Sequence, residues 1–181
     1  MNKNVLLIYG LPGVGKTTIM KGFIPQMNRF EQPFVHYIKD DYCILGDFHQ
    51  DNDFLGTDRL SMSIQPTAIE FIIQNPRLYF IVEGDRLFNE KFIQAVNPEI
   101  LFIEATEKEV LQRREKRGAD QNPQFLKSKK TKIENIKSKY AHYTIKNNDG
   151  SDIDMIRKQI TELLYGTSNL VAVNPNQLGL F

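Results

Sequence analysis

Residues 10 to 18 read Gly10-Leu11-Pro12-Gly13-Val14-Gly15-Lys16-Thr17-Thr18, which satisfies G-x-x-x-x-G-K-T at every fixed position. The spacing has a chemistry. Glycines let the backbone N–H groups of Gly10, Gly13, Val14 and Gly15 turn inward around a phosphate, while Pro12, which has no N–H, contributes its fixed bend. Lys16 then reaches the β- and γ-phosphates, Thr17 offers a hydroxyl to Mg²⁺, and Thr18 continues into a helix whose positive end faces the anion. The apolar run Val5-Leu6-Leu7-Ile8-Tyr9 before it predicts a strand, so strand, loop and helix follow one another as a phosphate-binding loop requires. ATP with Mg²⁺ is the expected ligand.

Phosphoryl transfer needs positioning and charge neutralisation more than covalent chemistry, so carboxylates and arginines come next. Asp40 and Asp41 follow the apolar stretch from Pro33 to Ile38 and are candidates for the base that activates an acceptor hydroxyl, with turn or capping chemistry as the structural alternative. Leu78-Tyr79-Phe80-Ile81-Val82 predicts a buried strand that delivers Glu83-Gly84-Asp85-Arg86. Glu83 and Asp85 are read as positioning Mg²⁺ or water, or else as a structural turn. Arg113, Arg114 and Arg117 lie about one helical turn apart, so two of them can point together at phosphates or form a surface ion-pair face. Arg59 and Arg86 fall on two predicted ligand-side loops and could hold an acceptor phosphate.

The elements that must hold these residues are strands alternating with helices, which predicts an α/β fold with a mainly parallel five-stranded sheet flanked by helices on both sides. Pro25 should end or kink the first helix. Residues 46 to 60 predict a long functional loop, and Ser61 or Ser63 is expected to cap a helix with Pro66 in its first turn. Thr106 and Glu109 form a capping-box signature, a basic helix runs from Gln124 to Lys139, and Ser151 or Asp152 caps the last helix. The domain is expected over residues 1 to 165, with 166 to 181 a flexible tail.

Composition bounds the class. The chain has 181 residues, 41% hydrophobic and 25% charged, ordinary for one soluble domain. Cys43 is the single cysteine, so no internal disulfide or cysteine metal cluster can form. No apolar run approaches a bilayer span and no cleavage site follows the first one, so the expected location is cytoplasmic, with no membrane partner. Net charge is +1, yet residues 113 to 139 hold ten Lys/Arg against three acids, leaving the remainder at −6. A local basic block from Lys127 to Lys139 suits nucleotide phosphates or a DNA backbone, or is a solvated lysine face.

The loop, Asp40-Asp41-Tyr42, and the Arg113-x-x-x-Arg117 pair together resemble the P-loop kinases of the nucleoside monophosphate kinase and polynucleotide kinase superfamily. That resemblance implies a three-layer P-loop kinase fold with an Arg-rich lid, puts the base on Asp40, and gives Arg113 and Arg117 the transferred charge. A narrower likeness rests on Gly56-Thr57-Asp58-Arg59-Leu60-Ser61-Met62-Ser63-Ile64-Gln65-Pro66, on Glu83-Gly84-Asp85-Arg86-Leu87-Phe88, and on the lysines from 127 to 132. These are similar to the phage 5-hydroxymethyldeoxyuridine DNA kinases, which phosphorylate the hydroxymethyl group of a modified base within DNA. On this likeness Asp58 is a second base candidate, DNA is a partner, and the location is the host cytoplasm. Gln177-Leu178-Gly179-Leu180-Phe181 resembles the peptide that binds the bacterial sliding clamp, or it covers the core. Two other functions fit the same motifs: a kinase for free deoxynucleoside monophosphates, and a P-loop ATPase or binding module.

Overall fold

Strand direction decides where each candidate residue lies. The computed structural model describes residues 4–49, 55–116 and 122–175. In chain order the elements are β1 (Val5–Tyr9), α1 (Lys16–Lys21), β2 (Asn28–Phe30), β3 (His36–Lys39), β4 (Tyr42–Leu45), α2 (Gln65–Gln74), β5 (Tyr79–Glu83), α3 (Glu90–Val96), β6 (Glu99–Glu104), α4 (Glu107–Glu115), α5 (Pro123–Lys137), β7 (Tyr143–Lys146) and α6 (Ile153–Leu164), with 3₁₀ turns at Ile24–Gln26 and Thr57–Arg59. Pro25 falls in the first of those turns, where its fixed φ is tolerated.

One seven-stranded sheet runs β2-β3-β4-β5-β1-β6-β7. The pairs β4·β5, β5·β1, β1·β6 and β6·β7 are parallel, while β3 is antiparallel to both β2 and β4. The sheet is therefore mainly parallel as expected, but it has seven strands rather than five. The stretch from Pro33 is half of a hairpin, whose return strand is the segment beginning at Tyr42.

The parallel strands are buried on both faces, which is why they read as unbroken apolar runs. Val5, Leu7 and Tyr9 pack with Ile64, Ala68, Ile72, Phe92, Ile93 and Ile136, so α2, α3 and the end of α5 cover one face. Leu6 and Ile8 pack with Ile19, Met20, Ile156, Ile160, Leu163 and Leu164, so α1 and α6 cover the other. This gives three layers. Phe80, Phe88, Phe92 and Phe102 are fully buried, and truncating any one to alanine would cost about 3–5 kcal/mol.

The predicted helix signals mostly hold. The Thr106/Glu109 capping box forms, and Asp152 caps α6. By contrast, α2 starts after Ile64 with no side-chain cap, Pro66 being in its first turn. Beyond α6 the chain turns back: Val173 exchanges two backbone hydrogen bonds with His142 beside β7, 2.8 and 3.1 Å. The segment is thus tied to the sheet edge as far as Val173. The peptide from Gln177 to Phe181 lies outside the described residues. Among the described residues no helix is long and apolar enough to cross a membrane.

Candidate functional site

The strand order reverses at β1, which lies between β5 and β6, so the carboxyl ends of these three strands open a crevice. The loop from Gly10 to Gly15 leaves β1 into that crevice. Gly13 and Gly15 have φ of 94° and 90°, left-handed values that side chains rarely adopt, and Gly15 directly precedes α1. The Lys16 ammonium donates to the Gly10 carbonyl at 2.8 Å and stands 5.9 Å from the Tyr9 ring centre. Thr17 and Thr18 occupy the first turn of α1.

The short α1 is braced from both ends by residues that the motif does not contain. Buried Asn147, just past β7, donates from Nδ2 to the Val14 carbonyl at 2.8 Å and lies against Gly15. From α6, Arg157 donates to the Ile19 and Thr18 carbonyls at 2.9 and 3.1 Å, adding a side-chain donor to carbonyls near the end of α1.

The arginines of α4 border the same loop. Arg113 donates to the Asn147 carbonyl at 3.0 Å and pairs with Asp149 at 3.1 Å, while the Arg114 stem runs along Gly13. Arg117 lies outside the described residues.

Glu83 ends β5 directly beside the loop. Its side chain is buried, Oε2 has no hydrogen-bond partner, and burial pushes its pKa up to about 7, against the pull of Lys16 and with the help of Asp58. The chain can pass over it only because residue 56 is glycine, since a Cβ there would sit 2.5 Å from Oε2. Thr57 fastens this crossing by donating to the Glu83 carbonyl at 2.9 Å. Next to it, Asp58 Oδ1 accepts the Asp85 and Arg86 amides at 2.8 and 3.1 Å, which leaves Oδ2 outside that pair of bonds. Arg86 donates to the Asp58 carbonyl at 3.0 Å, and Arg59 stands 3.9 Å from Asp47.

Asp85 is differently occupied. Oδ1 accepts from the Tyr9 hydroxyl at 2.6 Å and from Lys132 at 2.8 Å, and Oδ2 pairs with Lys129. Burial works against its charge, but the two lysines and the tyrosine outweigh it and hold the pKa down at about 2. Tyr9 itself stacks on Phe88 at 3.7 Å between ring centres.

Asp40 and Asp41 do not join the site. Because β3 runs antiparallel, its carboxyl end points to the opposite edge of the sheet from the Gly10–Gly15 loop. Asp40 and Asp41 form the two-residue turn between Lys39 and Tyr42, beside Tyr79 at the amino end of β5. Asp41 accepts from the Tyr165 hydroxyl at 2.5 Å and from the Tyr79 amide through its carbonyl. Strand direction therefore places Asp40, expected beside the Gly10–Gly15 loop, at the other end of the sheet, and both acids sit in the turn that was their structural alternative.

The basic helix also departs from expectation. Five of its six lysines from 127 to 139 pair with carboxylates: Lys129 and Lys132 with Asp85, Lys130 with Glu107, Lys137 with Glu104, and Lys139 with Glu90. These lysines close down onto their own domain, so they do not form an unpaired face for a nucleic-acid backbone.

As holders of Mg²⁺, Thr17 at the start of α1 and the unpartnered Oε2 of Glu83 fit an oxygen-seeking ion that keeps most of its water and phosphate ligands. Asp85 does not fit, because both of its oxygens are taken. Among the described residues no group of three or more His, Cys, Asp or Glu could enclose a metal by itself. Sequence reasoning missed Asn147, Tyr9 and Arg157. Asn147 had a signal, a polar Asn-Asn-Asp-Gly turn after the last strand, whereas Arg157 had none.

Compared with models of protein families and with curated proteins, the chain finds no match.

Proposed function

We propose that this chain is an ATP- and Mg²⁺-dependent phosphotransferase of the P-loop kinase type, which moves the γ-phosphoryl group to a hydroxyl on a nucleotide. The observation that carries the reading is the glycine loop leaving β1 at the strand-order reversal, with Lys16 at its end and buried Glu83 facing it from the next strand. Loop amides and Lys16 would hold the triphosphate, and Arg113 and Arg114 border the same loop from α4, where a lid would supply transition-state charge. Thr17 and Glu83 would hold Mg²⁺, which would supply neutralisation of the phosphate charge.

Asp58 takes the role that Asp40 loses. Its Oδ1 is fixed by two backbone amides, which orients Oδ2 as the acceptor of the substrate hydroxyl proton. The hydroxyl oxygen bonds to the γ-phosphorus, the bond to the β,γ-bridging oxygen breaks, ADP leaves, and the proton passes to Asp58.

The acceptor reading is the 5-hydroxymethyl group of 5-hydroxymethyldeoxyuridine in DNA, supported by the likeness of the Gly56 to Pro66 and Glu83 to Phe88 segments. A second reading, transfer to free deoxynucleoside monophosphates, is favoured by the internal pairing of the α5 lysines. Transfer of label from γ-labelled ATP to free monophosphates, unmodified DNA and 5-hydroxymethyluracil DNA separates them. Label on the modified DNA alone establishes the first, label on monophosphates the second. Hydrolysis with no acceptor labelled overturns both and leaves an ATPase.

A further inference from the structure

Lys129 and Lys132 stand one turn apart on α5 and bracket the two oxygens of one carboxylate, Asp85, with the Tyr9 hydroxyl as a third donor. Three donors around a small oxyanion, two of them cationic, make a cradle that a single carboxylate only half neutralises. Two lysines against one acid leave one positive charge over, and a phosphate brings the second negative charge and the third acceptor oxygen that the cradle lacks. Lys132 has a further reason to favour an anion that can approach from solvent. It forms one wall of an open cleft of about 650 Å³ between α3 and α5, lined also by Lys127, Ser128, Thr131 and Asn135. The side chains of those four make no hydrogen bond or ion pair with any described residue, so their polar groups face the cleft or water unsatisfied by the protein. The inner end of the cleft lies one side chain from the phosphate loop: Lys132 bonds Asp85, Asp85 bonds Tyr9, and the same Tyr9 ring has Lys132 at 5.7 Å and Lys16 at 5.9 Å.

We infer that the Lys129–Lys132 cradle, reached from the α3–α5 cleft past Lys132, is the subsite for a phosphate of the acceptor, and that Asp85 fills it when no acceptor is bound. The inference rests on the phosphotransferase reading for the word acceptor, but not for the anion site itself. A free nucleotide would place its 5′-phosphate there; an oligonucleotide would place a backbone phosphate, and its base or sugar would meet the hydroxyl and amide groups of the cleft. In either case the incoming phosphate displaces the Asp85 carboxylate, so Asp85 competes with the substrate rather than assisting it.

The sign of one substitution tests this. Thymidine 5′-monophosphate and a short single-stranded oligonucleotide are each titrated, by fluorescence or heat, into the full chain whose phosphate loop is already filled with a non-hydrolysable ATP analogue. Lys132→Gln and Lys129→Gln are expected to weaken binding about tenfold each, and Asp85→Asn to tighten it several-fold, with ATP-analogue affinity moving less than about twofold. The ligand that responds identifies the source of the phosphate. If Asp85→Asn instead weakens binding or leaves it unchanged while the unfolding midpoint falls, the cluster is a pin that holds α5 and the inference is overturned. Should the lysine variants fail to fold, the direction of the Asp85→Asn effect still decides. Should no acceptor be phosphorylated but the cradle still bind thymidine 5′-monophosphate, the subsite stands and the kinase reading falls; should the ATP analogue fail to bind, the titration is run on the empty loop with the same signs expected.

Discussion

Two acidic turns look alike in the sequence and behave as opposites in the fold. Asp40-Asp41 and Glu83-Gly84-Asp85 each follow an apolar run of strand character, and each would suit a kinase carboxylate. The second closes β5, which runs parallel to β1, so it arrives beside the Gly10–Gly15 loop. The first closes β3, which runs antiparallel, so it arrives at the far edge of the sheet. Their environments diverge accordingly. Glu83 is sealed under Gly56 and half protonated near neutrality, whereas the Asp40 turn is exposed and its neighbour Asp41 serves Tyr165 and the backbone of Tyr79. An apolar run followed by an acid thus identifies a strand end, and only the pairing partner says which end of the sheet it occupies.

The comparison is broken most strongly by moving the base. On the proposed mechanism Asp58→Asn keeps an acceptor for the two backbone amides and removes the proposed proton acceptor, so phosphoryl transfer should fall about 10²- to 10⁴-fold with little change in the KM for ATP. Asp40→Asn, at the opposite edge, should leave both constants within about twofold. Steady-state transfer assays on the two variants side by side decide the matter, and the reverse ranking would return the base to the hairpin.

How far the chain could be read before folding follows the same line. The strand–glycine loop–helix unit was legible because its information is local: strand, glycines, lysine and helix start are contiguous. The buried parallel strands were legible because burial on both faces erases alternation and leaves runs such as Phe80-Ile81-Val82. The Thr106 and Asp152 caps were legible because a cap needs only its own next three residues. Pairing direction was not, since Asp40-Asp41 is a tight hairpin turn without glycine, and the four-residue return strand β4 behind it gives no strand signal of its own. The fate of the lysines was not legible either. Their charge is written in α5, but the carboxylates that neutralise them come from the ends of β5 and β6 and the starts of α3 and α4, brought together only by the sheet.

A smaller effect sharpens the contrast through pH. Glu83 binds its proton more tightly folded than unfolded, so the folded state is favoured where the group is protonated in both or in the native state alone. Stability from this group is full below about pH 4.5 and is lost as pH rises through about 7, to a total of the order of 3 kcal/mol. His36, buried between Phe30 and Phe71 with its pKa lowered by that burial, acts in the other direction: its contribution is present above its unfolded pKa and fades as pH falls. Comparing wild type with Glu83→Gln cancels the histidine. The thermal midpoint of the ligand-free wild type should fall between pH 5 and 8 relative to the variant, and equal slopes would mean that Glu83 is ionised throughout.

The smallest expected effect concerns why Asp40 is an aspartate at all. Its φ is +52°, in the left-handed region that β-branched residues strongly avoid and that Asp, Asn and Gly tolerate. The turn joins Lys39 to Tyr42 across only two residues, so the hairpin cannot relax this angle without losing the register that pairs Ile38 with Cys43. Backbone conformation, not chemistry, then sets the residue. Asp40→Gly and Asp40→Asn should leave the urea midpoint nearly unchanged, while Asp40→Val should cost about 1–2 kcal/mol. None of the three should alter phosphoryl transfer under conditions where the protein is fully folded. A loss of transfer in Asp40→Gly at unchanged stability would show that the carboxylate itself matters, and would erase the distinction between the two turns.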